Sequence, residues 1–344
     1  MTRFRSFTAP LALAALLLAT PAPTVLAEKA APAGFAAAVA QKDEVTIVVT
    51  DSGLGGLSVV ADLAARLPES GIVGKARIVF VNALLDDAIG YNDIPQLADK
   101  VRVFDAALSA MESRYRPDLI LIACNTLSVF YDRTEHAKRG ATQAVSIVPM
   151  GVELIEKTLA ETPGATTVVF GTQGTIDAGT HKRLLVEGGV PEARVVGQAC
   201  PRLTGAIERD AQGAETAERV QAFVEQAVAK LPATRGPLVA SLNCTHFGYA
   251  GELWAKTFER LGYPGVKVVD PNPLMTDLVL REGGPRRHPR TAVSVEVVSK
   301  TEVPPDVQAS LGGLLRRTSP AAADALQAYT RVPDLFHVEL DLKR

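Results

Sequence analysis

The segment Ile47-Val48-Val49-Thr50-Asp51-Ser52-Gly53-Leu54-Gly55-Gly56 runs from an unbroken apolar stretch into small polar residues and glycines. Valine and isoleucine without polar alternation mark a strand buried on both faces, and the residues that follow mark a tight turn. The arrangement recurs. Seventy-three positions after Asp51, Ile122-Ala123-Cys124-Asn125-Thr126 ends another apolar run in a thiol. Val168-Val169-Phe170-Gly171-Thr172-Gln173-Gly174-Thr175 restarts the pattern, and 72 positions after Thr172 comes Leu242-Asn243-Cys244-Thr245-His246. A polar strand end followed at nearly equal spacing by a cysteine-bearing strand end, twice over, predicts two similar α/β domains facing one another. Each would carry one thiol at the ligand-binding edge of its sheet.

Outward from these anchors, short apolar runs alternate with helical periodicity. Strands are predicted over 45–50, 76–82, 119–123, 144–148, 166–171, 194–197, 237–242 and 266–269, with helices over 99–114, 152–160 and 217–231 between them. This is an α/β chain of two domains, each a parallel sheet flanked by helices, with the active site in the cleft between them. The first domain takes 44–147 plus 266–344 and the second 148–265. The cluster of Gly, Pro and Arg over 283–290 reads as a loop with solvated charge.

The first 27 residues are different in kind. Arg3 and Arg5 precede an Ala/Leu-rich run over 10–19, then Pro21 and Pro23, then Val25-Leu26-Ala27, the layout of a cleavable signal peptide. The run is short of the roughly 20 residues that span a bilayer, so no stable membrane anchor is expected. The mature chain should begin near Glu28, continue through an Ala-rich tether over 28–43, and be periplasmic or secreted. With 36 basic and 38 acidic residues the 344-residue chain has a formal charge of −2, which offers no general attraction for nucleic acid. Three cysteines are too few for a disulfide framework, and an odd number leaves a thiol over.

Two thiols confronting one carbon can remove a proton from one face and return one to the other. A free cysteine titrates near 8.5, so modest tuning makes it a base or an acid close to neutral pH. Backbone N–H groups at strand ends that open into helices favour a carboxylate ligand beside them. Proton exchange at a stereocentre follows.

At these residues the chain resembles a known family. The run from Asp51 to Ser58, Ala123-Cys124-Asn125-Thr126 and Cys244-Thr245-His246 are similar, in order and spacing, to the three signature motifs of glutamate racemase, within the cofactor-independent aspartate/glutamate racemase superfamily. Gly171-Thr172-Gln173-Gly174-Thr175 and Ala199-Cys200-Pro201 leading to Glu208 are weaker echoes. The resemblance implies Cys124 as the thiol acting on the D-enantiomer and Cys244 on the L-enantiomer, assisted by Asp51 and His246, with Glu208 in support. It implies Ser52, Asn125, Thr126 and Thr245 around the α-amino and α-carboxylate groups, and Thr172 and Thr175 from the second domain. It also implies no cofactor, no metal, a small amino-acid substrate, and leaves a homodimer open. Two departures concern the substrate: the family's Pro-Tyr-Gly, which receives the side-chain carboxylate, is here Gly90-Tyr91-Asn92, and Tyr-Pro after the second motif is Phe247-Gly248. Tyr91 and Asn92 are expected at the distal end of the substrate, with the Cβ of Asn92 reshaping it.

Other readings stand beside these. Cys200 reads as a small core residue. Asp51 or Ser52 could simply cap the following helix, and His246 beside Cys244 could ligate a metal, although the spacing of a metal site is missing. His136, His181, His288 and His337 read as surface or loop residues. Besides a racemase, the sequence admits a non-catalytic periplasmic binding protein that kept the cleft, or another superfamily chemistry such as a decarboxylase or isomerase.

Overall fold

The computed structural model describes residues 33–140, 142–232 and 236–340. The expected signal peptide lies outside them. Among the described residues the strands are β1 (Glu44–Asp51), β2 (Lys75–Asn82), β3 (Leu119–Ile122), β4 (Ala144–Ser146), β5 (Thr166–Gly171), β6 (Val195–Ala199), β7 (Leu238–Asn243), β8 (Lys267–Val269), β9 (Ala292–Ser299) and β10 (Thr330–Arg331). They form two sheets, in the orders β10-β9-β2-β1-β3-β4 and β6-β5-β7-β8, with every pairing parallel. The run β2-β1-β3-β4 has the same order as β6-β5-β7-β8, so the sequence repeat is also a repeat of topology. In each, the chain leaves the first strand to one side and returns on the other. Such a reversal opens a crevice at the carboxyl ends of the two strands, β1 and β3 in one sheet, β5 and β7 in the other.

The apolar runs do what two-sided burial demands. Ile47 and Val49 face the layer of helix Leu57–Ser70, while Val48 faces the layer of helix Leu97–Tyr115. In the second sheet Val168 and Phe170 pack with Trp254 and Phe258, and Val169 turns the other way onto Ile155 and Leu185.

Several expectations are corrected. The segment 33–41 is a helix, Ala33–Gln41, whose Phe35 and Val39 are buried in the core, so this stretch is docked where a loose tether was predicted. Arg287, from the loop read as solvated charge, helps hold it by donating to the carbonyls of Val39, Lys42 and Ile72. The strand predicted over 144–148 stops at Ser146, whose hydroxyl caps a helix starting at Ile147. The domain boundary at 266 falls too early, because β8 pairs with β7 in the second sheet. Only after it does the chain return, as helix Asn272–Glu282 packed on helix Leu57–Ser70 and as β9 beside β2. Helix Pro305–Arg316 then lies against helix Leu203–Arg209, tying the last part of the chain to the second half. His136 and His181 are buried, contrary to the surface reading.

Candidate active site

A cavity of about 480 Å³ is bordered by the turns after β1 and β3 on one side and after β5, β6 and β7 on the other. Both motif cysteines border it, each 5% exposed. β3 ends at Ile122, two residues before Cys124, and β7 ends at Asn243, immediately before Cys244, so the two thiols sit at equivalent places in the two sheets.

Their neighbours differ. Cys124 Sγ lies 3.1 Å from the Ser52 hydroxyl. Burial pushes its thiol well above the ordinary cysteine range and the charge of Asp51 pushes the same way, with the hydrogen bond from Ser52 opposing them. Cys244 Sγ lies 3.8 Å from His246 Nδ1, and His246 Nε2 is 2.7 Å from Glu208 Oε1. Burial works against the imidazolium here. The hydrogen bonds to Cys244 and Glu208 outweigh it, so the pKa of His246 ends well above its usual value. A protonated His246 donates from both nitrogens, one toward the carboxylate and one toward sulfur.

Asp51 fastens the turns together. Its carboxylate accepts the N–H groups of Ser52 and Gly56 at 2.6 Å each and the Thr245 hydroxyl at 2.7 Å, joining the turn after β1 to the turn after β7. The Gly56 bond lies at the start of helix Leu57–Ser70, while the Thr245 bond reaches the turn after β7. Gly55 is needed for this approach, because a Cβ there would stand 2.3 Å from Thr245 Oγ1 and 2.5 Å from His246 Nδ1.

The remaining predicted residues divide. Ser52, Asn125, Thr126, Thr172 and Thr245 border the cavity. The amide oxygen and nitrogen of Asn125 are buried with no protein partner. Thr126 and Thr172 meet at 2.8 Å across the cleft. Thr175 stands behind them, 3.0 Å from Thr172 and 3.4 Å from Thr126, and does not border the cavity. Tyr91 borders the cavity too, while its hydroxyl donates to the carbonyl of Ala83 at 3.1 Å and its ring packs on Phe130, so the phenol itself is engaged inside the core. Asn92 also borders the cavity and accepts the Gly174 N–H at 3.0 Å with its side-chain oxygen, bridging the cleft. Cys200 is buried against the second core as expected, yet it also touches the cavity wall.

Motif reading missed Arg202 and Thr204, which also line the cavity. Arg202 adopts a left-handed backbone, φ 61°, in the turn before helix Leu203–Arg209. No sequence signal marks that position. It follows Cys200-Pro201, and its place at the cleft depends on how that turn folds.

Comparison with known proteins follows the same line. No family model matches the chain. It is 28% identical over 237 residues to glutamate racemase of Symbiobacterium thermophilum, covering 68% of this chain and 78% of that one, and 27% identical over 203 residues to glutamate racemase of Corynebacterium diphtheriae, covering 58% and 68%. Its fold superposes on the crystal structure of Francisella tularensis glutamate racemase in complex with D-glutamate with a TM-score of 0.60, at 19% identity, over 81% of this chain and 96% of that one. Fold, paired thiols and kinship together define an enzyme of the amino-acid racemase class. Within that class the chain is a relative of the glutamate racemases, as its motifs implied.

Proposed function

We propose that the protein interconverts L- and D-glutamate, or the enantiomers of a related acidic amino acid. The reading is carried by one observation, two buried thiols that border a single cavity from equivalent strand ends of two parallel sheets. In one direction the Cys244 thiolate takes the α-proton of the L-enantiomer, and the C–H electron pair is left on the α-carbon and its carboxylate. The Cys124 thiol then gives its proton to the opposite face and becomes the thiolate. The reverse direction exchanges the roles. Raised protonation of Cys124 suits it to wait as the acid, while His246, held by Glu208, supports charge on Cys244. Ser52, Asn125, Thr126 and Thr245 border the cavity beside the thiols, which supports a role in holding the α-amino and α-carboxylate groups and in stabilising negative charge by hydrogen bonding.

The experiment is racemisation in deuterated water without added cofactor, followed by circular dichroism and mass spectrometry. Product carrying deuterium at the α-carbon, with substrate still unlabelled at early times, is the expected result. Absence of exchange across free glutamate, aspartate and glutamine defeats the reading.

We also propose that the enzyme is exported. Arg3, Arg5, the apolar run over 10–19 and the Val25-Leu26-Ala27 site support this. N-terminal sequencing of secreted protein should begin near Glu28, and retention of Met1 in the cytoplasm would refute export.

A further inference from the structure

The turn carrying Cys244 and His246 is held from the far side of the cleft by a residue outside every motif. Asn272 opens helix Asn272–Glu282, which packs on helix Leu57–Ser70 over the first sheet. Its Nδ2 donates to the carbonyl of Thr245 at 2.9 Å and to the Ser58 hydroxyl at 3.1 Å. Ser58 in turn donates to the carbonyl of Gly55 at 2.9 Å. One buried amide thus links the turn after β7 to the turn after β1, beside the bond between Thr245 and Asp51. Its orientation is settled by chemistry, since the opposite one would face the amide oxygen toward a carbonyl.

The surroundings show why this turn depends on such a link. Position 248 is glycine, and a Cβ there would stand 2.0 Å from Asp270 Oδ2. The carboxylate of Asp270 occupies that space and its other oxygen accepts the Asn272 N–H at 2.9 Å. The backbone at Gly248 therefore carries no side chain of its own at the point where Asp270 presses on it.

We propose that Asn272 is a positioning residue for Cys244. The inference rests on the racemase reading. The Thr245 carbonyl belongs to the peptide that joins Thr245 to His246, so fixing it orients the hydroxyl that meets Asp51 and the imidazole that meets Cys244. The turn bearing Cys124 has no bond to Asn272. Removing the amide donor should therefore impair proton transfer at one thiol and spare the other.

Isotope effects separate the two thiols, because deuterium on the α-carbon of each enantiomer reports the thiol that removes it. Asn272→Asp keeps the shape and loses both donors. Enantiomers have equal free energy in water, so its kcat/KM must fall equally in both directions, by about tenfold for the two lost hydrogen bonds. The isotope effect on kcat/KM should rise with α-deuterated L-glutamate, whose hydrogen goes to Cys244, and fall with the D-form. A merely structural role, which lowers the folded fraction, leaves both effects where they were. Ser58→Ala, which frees one hydrogen of the amide, should shift them in the same opposed sense by less, and it carries the comparison if the aspartate variant does not fold. Absent or parallel shifts in folded protein overturn the proposal. Failure of the wild type to exchange its α-hydrogen is a different result, because it removes the racemase reading itself.

Discussion

Cys124 and Cys244 end equivalent strands yet have opposite electrostatic company, a carboxylate near one and a protonated imidazole near the other. Cys124→Ala and Cys244→Ala should each lower racemisation by at least about 10² to 10⁴-fold, since each removes the only acid or base on its face. Cys200→Ala should change little. Comparable losses in all three would contradict a division of labour between two thiols. The neighbours also predict a pH dependence. Burial and Asp51 hold the proton on Cys124 past the ordinary cysteine range, so its alkylation by iodoacetamide should be slow at neutral pH and climb only on the alkaline side of that range. Mass mapping of the labelled peptide measures this directly, and fast labelling of Cys124 at pH 7 would overturn the assignment of Cys124 as the resting acid.

At the level of elements, the bridge from Asn92 to Gly174 joins the loop after β2 to helix Gln173–Ala178 after β5. It occupies a backbone donor at the end of the cleft where a side-chain carboxylate is expected. Asn92→Gly releases that N–H and should raise preference for glutamate over aspartate and glutamine, severalfold for one exposed hydrogen bond worth about 1 kcal/mol. Competition assays with the three amino acids test it. An unchanged ranking would show that this end of the cavity does not contact the side chain.

Across the whole molecule, stability should depend on a histidine that does not line the cavity. His181, on helix Thr180–Glu187, is 2% exposed with neither ring nitrogen paired, and burial lowers its pKa to about 4. The folded state holds the proton less tightly than the unfolded state. Its contribution is therefore complete above about 6.5 and is lost as the pH falls toward about 4, a cost of about 3 kcal/mol at full protonation. Urea midpoints measured over that range should drop in the wild type and flatten in His181→Gln; identical slopes would remove the attribution. Export, as proposed, would place the thiols in oxidising surroundings, where accessible thiolates react first. All three cysteines are unpaired and buried. Secreted protein should accordingly contain titratable Cys124 and Cys244 whose alkylation is slowed by substrate, and a native disulfide between them in most molecules would point to a redox-gated enzyme.

What the amino-acid sequence determined by itself is the repeat and its chemistry. Apolar runs such as 47–50 and 168–170 can be buried on both faces only inside a parallel sheet, and the small polar residues and cysteines that end them must then lie at a carboxyl edge. That much is local. Tertiary structure decided the rest, because the contacts concerned join residues far apart in the chain. Motif reading did not show what holds Tyr91, whose hydroxyl donates to the Ala83 carbonyl and whose ring packs on Phe130 while the residue borders the cavity. β8 looked like the return to the first domain, but a three-residue strand is placed by whichever sheet edge receives it, here β7. Helix Ala33–Gln41 read as a tether because alanine-rich composition does not distinguish a linker from a helix with two large residues facing a core. Arg202 and Asn272 belong to no motif, and their roles arise only when the turns after β6 and β8 are folded against the cleft, where side-chain direction and burial are set by distant neighbours, as by Ser58, 214 residues away in the chain, for Asn272.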